Sequence, residues 1–150
     1  MPLPPSVDIA IIGGGFTGLS AARALAATGA EVVVLEAHHA GWGASSRNGG
    51  MVLTGLKVPA PALVAKFGVD RARRLFDAAL RSIDFVERLV REETIDCDFR
   101  RCGHAEVASK SSHFERMREE AETLETTFAH LVELVEKKDI GSVVASEAYH

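Results

Sequence analysis

Apolar residues gather into two short runs near the start of the chain and spread into helical stripes further on. Residues 7–12, VDIAII, are almost continuously apolar and β-branched, which predicts a strand buried on both faces, as in a parallel sheet. Leu19, Ala22, Leu25 and Ala26 recur at helical spacing, and Gly29 is placed to end that helix. Residues 31–36, EVVVLE, predict a second buried strand. Strand, helix and strand within roughly thirty residues make a βαβ unit, whose crossover should be right-handed.

The pattern then changes. Residues 37–55 hold five glycines, three serines or threonines and one asparagine, too much glycine for a regular element, together with the chain's only tryptophan, Trp42. Asp70 is placed to cap a helix with one apolar stripe: Ala72, Leu75, Phe76, Ala79, Leu80, Ile83, Val86, Leu89 and Val90. Its other face, with Arg71, Arg74, Asp77, Arg81, Asp84, Arg88 and Arg91, reads as solvated. Residues 97–101 and 103–109 predict two short strands around Cys102-Gly103. Ser112 and Glu115 match a capping box before a helix with Phe114, Met117, Ala121, Leu124 and Phe128 on its packing face. Residues 131–135 predict another strand, and residues 137–144 a short helix. No internal repeat is visible.

Composition narrows the class. The chain has 150 residues, 47% hydrophobic and 25% charged, which suits a globular domain with a real core. Its net charge of −4 is uneven: the first 69 residues carry four basic and three acidic side chains, the rest thirteen and eighteen. No lysine or arginine run is dense enough to expect a nucleic-acid partner, and no apolar stretch is long enough to expect a membrane one. Residues 1–7, with three prolines, read as a loose leader rather than a signal peptide. Cys97 and Cys102 lie five apart, neither CxxC nor a zinc spacing, so two ordinary thiols in a reducing, cytoplasmic setting are expected.

The chemistry concentrates in the glycine turn. Gly13, Gly15 and Gly18 fit G-x-G-x-x-G, directly after the first strand and opening the helix, with Gly14, Phe16 and Thr17 between them. The first glycine allows a tight turn, the second lets a pyrophosphate approach the backbone, and the third lets helix and strand pack closely. Gly15 is therefore expected to be the position least tolerant of a side chain. The helix N-terminus offers free N–H groups and a positive dipole end to an anion. Glu36, followed by Ala37, ends the second strand eighteen residues after Gly18, where a carboxylate can accept ribose hydroxyls and would repel a 2′-phosphate, disfavouring NADP. The bland alternative is a glycine-rich turn without a ligand, and the βαβ pattern alone does not separate NAD from FAD. His38 and His39, adjacent on an expected extended segment, should point apart and have no third ligand near in sequence, so no metal is expected. His104 reads as structural, and no Ser/His/Asp or paired-carboxylate arrangement stands out, so the catalytic residues are unknown.

Residues 41–50, GWGASSRNGG, following VVVLEA, resemble the D-amino-acid oxidase/glycine oxidase superfamily of FAD-dependent oxidoreductases, and most closely its gamma-glutamylputrescine oxidoreductase-like branch. Residues 95–108, IDCDFRRCGHAEVA, and the closing SEAYH at 146–150 carry the same resemblance. It implies FAD as cofactor. Gly13, Gly15 and Gly18 would hold its pyrophosphate and Glu36 its adenosine ribose. Ser45, Ser46, Arg47, Asn48, Gly49 and Gly50 would line the cofactor, while Trp42 reads as loop packing. It also implies a fold class: α/β, a Rossmann-like βαβ FAD-binding segment with a parallel sheet over residues 8–93, then the α+β start of a substrate domain over residues 94–150. Full-length relatives are more than twice as long, so the chain reads as an N-terminal portion that is not catalytic alone. The parent activity implied is oxidation of a C–N bond in an amine or amino-acid substrate, with hydride passing to the flavin. A standalone dinucleotide-binding or interaction module, or an NAD-linked dehydrogenase, is the alternative. Uncovered sheet edges make self-association an expected partner mode.

Overall fold

The computed structural model describes residues 3–146, 148 and 149. Of the stretches singled out above, Met1 and Pro2 of the leader and Glu147 and His150 of the closing SEAYH lie outside the described residues. Contacts divide the chain into two compact units, Met1–Met51 and Val52–His150.

The first unit is the expected βαβ. Strand β1 (Ile9–Ile12), helix α1 (Phe16–Ala26) and strand β2 (Val32–Leu35) follow in order, and the strands pair in parallel with Ile9 opposite Val32 and Ile12 opposite Leu35. Backbone bonds extend the ladder at both ends. Asp8 and Ile9 N–H donate to the Glu31 carbonyl, and Gly13 N–H donates to the Leu35 carbonyl at 2.8 Å. The Asp8 carboxylate accepts the Glu31 N–H at 2.9 Å, which locks the entry of β2 beside the entry of β1.

Burial on both strand faces does not hold. Residues of β1 alternate between half-buried and exposed, and Ile12 is 89% exposed. Helix α1 packs on both strands, and no other α-helix belongs to this unit among the described residues, so α1 covers one face. Leu19 and Ala26, expected to pack, are exposed; Ala22 and Leu25 are half-buried. Helix α1 stops at Ala26, and Gly29 takes its left-handed φ of +90° beyond the Ala27 cap.

The second unit holds every buried hydrophobic residue among those described: Ala60, Leu63, Ala72, Phe76, Ala108, Phe114, Ala121 and Ile140. Helices α2 (Ala60–Phe67), α3 (Val69–Glu92) and α4 (Ser111–Phe128) pack on one another. Helix α2 was not expected. It is only two turns long, with Pro59 and Pro61 at its start and Gly68 at its end, and its N-terminal Ala60 N–H is satisfied by the Glu120 carboxylate of α4 at 3.0 Å. Gly68, at φ +74°, separates α2 from α3 and is the N-cap of α3, the role expected of Asp70. Asp70 instead lies in the first turn, where its charge favours the helix dipole. All nine stripe residues of α3 are buried or half-buried. Phe76 meets Phe128 of α4 at a ring distance of 4.7 Å, and Arg73 Nε donates to the Thr127 carbonyl at 2.7 Å.

Three expected strands are not formed. Residues 97–101, 103–109 and 131–135 carry no ladder: none of them has a partner strand among the described residues, and a strand exists only by its partner. Arg101 instead pins the first of these segments to α3 through Asp84 and, at 2.7 Å, Glu87. The capping box is not formed either: α4 starts at Ser111 with Lys110 as N-cap, so Ser112 already lies inside the helix. A 3-10 helix, Lys137–Ser142, answers the short helix expected over residues 137–144.

Phe76 carries the α3–α4 packing. Phe76→Ala should cost about 3–5 kcal/mol of unfolding free energy by urea denaturation, by transfer and cavity terms together. A loss below about 1 kcal/mol would show that this helix pair closes up without the ring.

Candidate functional site

Gly14 is the one fully buried residue of the first unit among those described. Its N–H donates to Glu36 Oε2 at 2.7 Å, and its carbonyl accepts the Gly41 N–H at 2.7 Å. Both halves of its backbone are thus held by the segment that leaves β2. The other Glu36 oxygen accepts the His38 N–H at 3.0 Å. These bonds, Gly14 first and His38 next, hold the Glu36 carboxyl below the usual carboxylate value against some desolvation. Glu36 is ionised at neutral pH, and one task of its carboxylate is to close the turn.

Gly13, Gly15 and Gly18 stand in different surroundings. Gly13 takes φ +101°, open to glycine and strained for other residues. A Cβ on Gly18 would lie 1.9 Å from the Gly13 carbonyl oxygen and 3.4 Å from Ile11 Cγ2, so helix and strand are in contact there. A Cβ on Gly15 would meet only the Ser45 hydroxyl, at 3.0 Å. Within the chain itself, Gly18 is therefore less tolerant than Gly15, because its obstacle is backbone and Gly15's is a movable side chain.

Helix α1 begins after the Gly15 N-cap, which makes no side-chain cap bond. Phe16 N–H donates to Ser45 Oγ at 3.0 Å. The N–H groups of Gly15, Thr17 and Gly18 donate to no protein atom among the described residues. Three open donors around a turn without side chains, at the positive end of a helix, fit an anion such as the diphosphate of a dinucleotide. Thr17 and Ala37 are exposed beside them.

The loop after β2 is bent, with a 3-10 turn at Gly43–Ser46, and not extended. His38 and His39 accordingly do not point apart: both rings pack against Trp42, at 4.9 and 5.9 Å. Arg47 Cζ lies 3.7 Å from the centre of the same indole. Ser45 is brought to the glycine turn and Ser46 belongs to the 3-10 turn. Asn48 is occupied within its own loop, donating to the Ala44 and Ser45 carbonyls and accepting from Gly50 N–H at 2.9 Å. Gly49 and Gly50 follow, exposed, with Gly50 at φ +67°. Two contributors escaped the sequence pattern, the Gly41 and His38 N–H groups. Both act through backbone, which carries no residue signature.

Two outcomes test this geometry. Gly18→Ala should lower the melting temperature of the chain and loosen α1, whereas Gly15→Ala, whose Cβ presses on the Ser45 hydroxyl, should lower the melting temperature less. Equal melting temperatures for the two variants would count against the contact at Gly18. For Glu36, the folded pKa lies below the unfolded one, about 4.3 for glutamate. Its stabilising contribution is therefore complete above the unfolded value and is lost as the pH falls through the folded one. The stability gap between the chain and Glu36→Gln should be constant near neutrality and narrow in acid. A gap that widens in acid would overturn the assignment.

The chain is matched over residues 8–148 by the family model described as FAD dependent oxidoreductase (DAO). It is 34% identical over 142 residues to gamma-glutamylputrescine oxidoreductase of Escherichia coli, covering 95% of this chain and 33% of that protein. It is 35% identical over 151 residues to the probable oxidoreductase OrdL of Rhizobium meliloti, covering 100% of this chain and 35% of that one. To the OrdL of Haemophilus influenzae it is 38% identical over 101 residues, covering 67% and 23%. The chain thus spans about a third of the length of the first and second of these relatives. No solved structure matches it. With almost the whole of this chain matched by the family model, the chain belongs to the DAO family of FAD-dependent oxidoreductases.

Proposed function

We propose that the first unit holds the ADP half of FAD, and that the chain is the cofactor-binding portion of an oxidoreductase acting on C–N bonds of amines or amino acids. The observation that carries this is the set of open N–H donors on Gly15, Thr17 and Gly18, beside a turn closed by an ionised carboxylate. The diphosphate would take those donors. Glu36 would keep its bonds to Gly14 and His38 and use remaining lone pairs for ribose hydroxyls. Its negative charge favours a free 2′-hydroxyl over a 2′-phosphate. Ser45, Ser46 and Arg47 would line the diphosphate side, and Asn48, Gly49 and Gly50 the side toward the flavin.

When bound, the flavin supplies the redox chemistry, accepting hydride from the substrate carbon. This chain's own part is to bind and orient the nucleotide. Likeness to gamma-glutamylputrescine oxidoreductase and the OrdL proteins supports the oxidoreductase reading and, through the first, an amine substrate. We extend the reading to domains by chain order, with a boundary that falls inside the second compact unit: residues 8–93 serve the FAD-binding domain, and residues 94–150 open the substrate domain. A reducing, cytoplasmic setting belongs to the same reading, on cysteine spacing in the sequence alone. The exposed Ile12 and a two-stranded sheet with open edges support self-association of the chain.

The test is calorimetric titration of the 150-residue chain with ADP, FAD and 2′-phosphorylated ADP, its mass in solution measured alongside. ADP should bind weakly and saturably, FAD less than about tenfold tighter (under 1.4 kcal/mol more), and the 2′-phosphorylated form more weakly than ADP. The chain should exceed monomer mass and release no peroxide with a panel of amines. Failure of both ADP and FAD to bind would overturn the nucleotide assignment. Tight FAD binding with peroxide release would overturn the assignment of an ADP half alone.

A further inference from the structure

Trp42 makes contacts that neither the glycine motif nor the ribose carboxylate explains. Arg47 Cζ stands 3.7 Å from the indole centroid, well inside the ~6 Å reach of a cation–π contact. The His38 ring meets the indole edge-on at 4.9 Å and 87°, and His39 lies tilted at 5.9 Å. The backbone that carries the indole is anchored. The main-chain N–H of Trp42 donates to the His39 carbonyl at 3.0 Å, and that of the preceding Gly41 donates to the Gly14 carbonyl at 2.7 Å. Three residues on, Ser45 Oγ accepts the Phe16 N–H. Trp42 thus lies between two hydrogen bonds that tie its loop to the glycine turn.

Stacking and ion pairing use different parts of a guanidinium. A carboxylate consumes N–H groups in the plane, whereas an aromatic ring covers the plane and leaves all five donors open at its edge. No carboxylate among the described residues pairs with Arg47. Its side chain is therefore confined while its donors remain available. A free arginine must surrender rotamer freedom when it grips a ligand; a stacked one has already surrendered much of it.

We propose that Trp42 is a positioning residue for Arg47: it holds the guanidinium stacked on the indole, donors open, as the loop's cation for the diphosphate of a nucleotide at the glycine turn. This rests on the nucleotide reading above and adds how the cation is set. Trp42 acts through Arg47 and does not itself touch the ligand.

The experiment is a double-variant cycle on the 150-residue chain, with ADP as the probe, measured by calorimetry. Arg47→Met should weaken ADP by about tenfold or more, and Trp42→Leu by about three- to tenfold. The double variant should be no weaker than Arg47→Met within about twofold, because Trp42 has nothing left to position. Trp42→Tyr, which keeps a π face, should recover most of the loss, which separates loss of the stack from collapse of the loop. In the ligand-free chain, Arg47 side-chain proton resonances should be shifted upfield by the indole ring current, and Trp42→Leu should abolish the shift. Additive losses, no effect of Arg47→Met, or no ring-current shift would each overturn the role of Trp42 while leaving the nucleotide reading in place. A wild-type chain that binds no ADP would overturn both.

Discussion

The first unit depends on the hydrogen bonds at Gly14. One peptide group donates to the carboxylate that follows β2, and its neighbour accepts from the loop beyond. Gly14 is buried because these two partners cover it, and a Cβ there would lie 3.3 Å from Glu36 Cβ. Break the contact with Glu36, and the turn keeps only the Gly13–Leu35 and Gly14–Gly41 backbone bonds to the end of β2 and the loop beyond it. The open donors of Gly15, Thr17 and Gly18 have a defined direction only while that turn is closed. Charge-assisted bonds to backbone N–H are among the stronger ones available, which is why a single carboxylate can serve.

The two units achieve order by different means. The second has a packed apolar centre, with Leu63, Phe76 and Phe114 drawn from three helices. The first has no fully buried hydrophobic side chain among its described residues and relies on a short parallel ladder, the Asp8–Glu31 lock and the Gly14–Glu36 bond. A site made of backbone donors suits such a unit. Apolar packing would not leave N–H groups open at the surface, whereas a turn tied by polar bonds exposes them in a fixed pattern. Ligand binding to such a unit adds directly to its stability by mass action.

Family membership and geometry address different questions. The match over residues 8–148 establishes the family. The geometry says what this chain contributes: a closed glycine turn, an ionised carboxylate beside it, and a loop pinned to it at Gly41 and Ser45. None of these groups is a redox group. In the function proposed above, their part would be recognition and orientation, with the electron transfer left to the cofactor.

The βαβ unit, the turn at Gly13, the close contact at Gly18 and the stripes of α3 and α4 were legible in the sequence because each is written in local spacing. A strand period, a helix period and a left-handed glycine need only their neighbours to be recognised. The strands expected at residues 97–101, 103–109 and 131–135 were not decided locally, since a strand is made by its partner. Helix α2 was hidden by its shortness and is completed by Glu120, sixty residues away. The same holds at the site. Sequence put a carboxylate at position 36, but only the tertiary structure decided that it would take the Gly14 N–H, 22 residues back, and that Ser45 would take that of Phe16, 29 residues back. Side chains of many kinds can satisfy a backbone donor, so the identity of the partner is settled by where the chain places it.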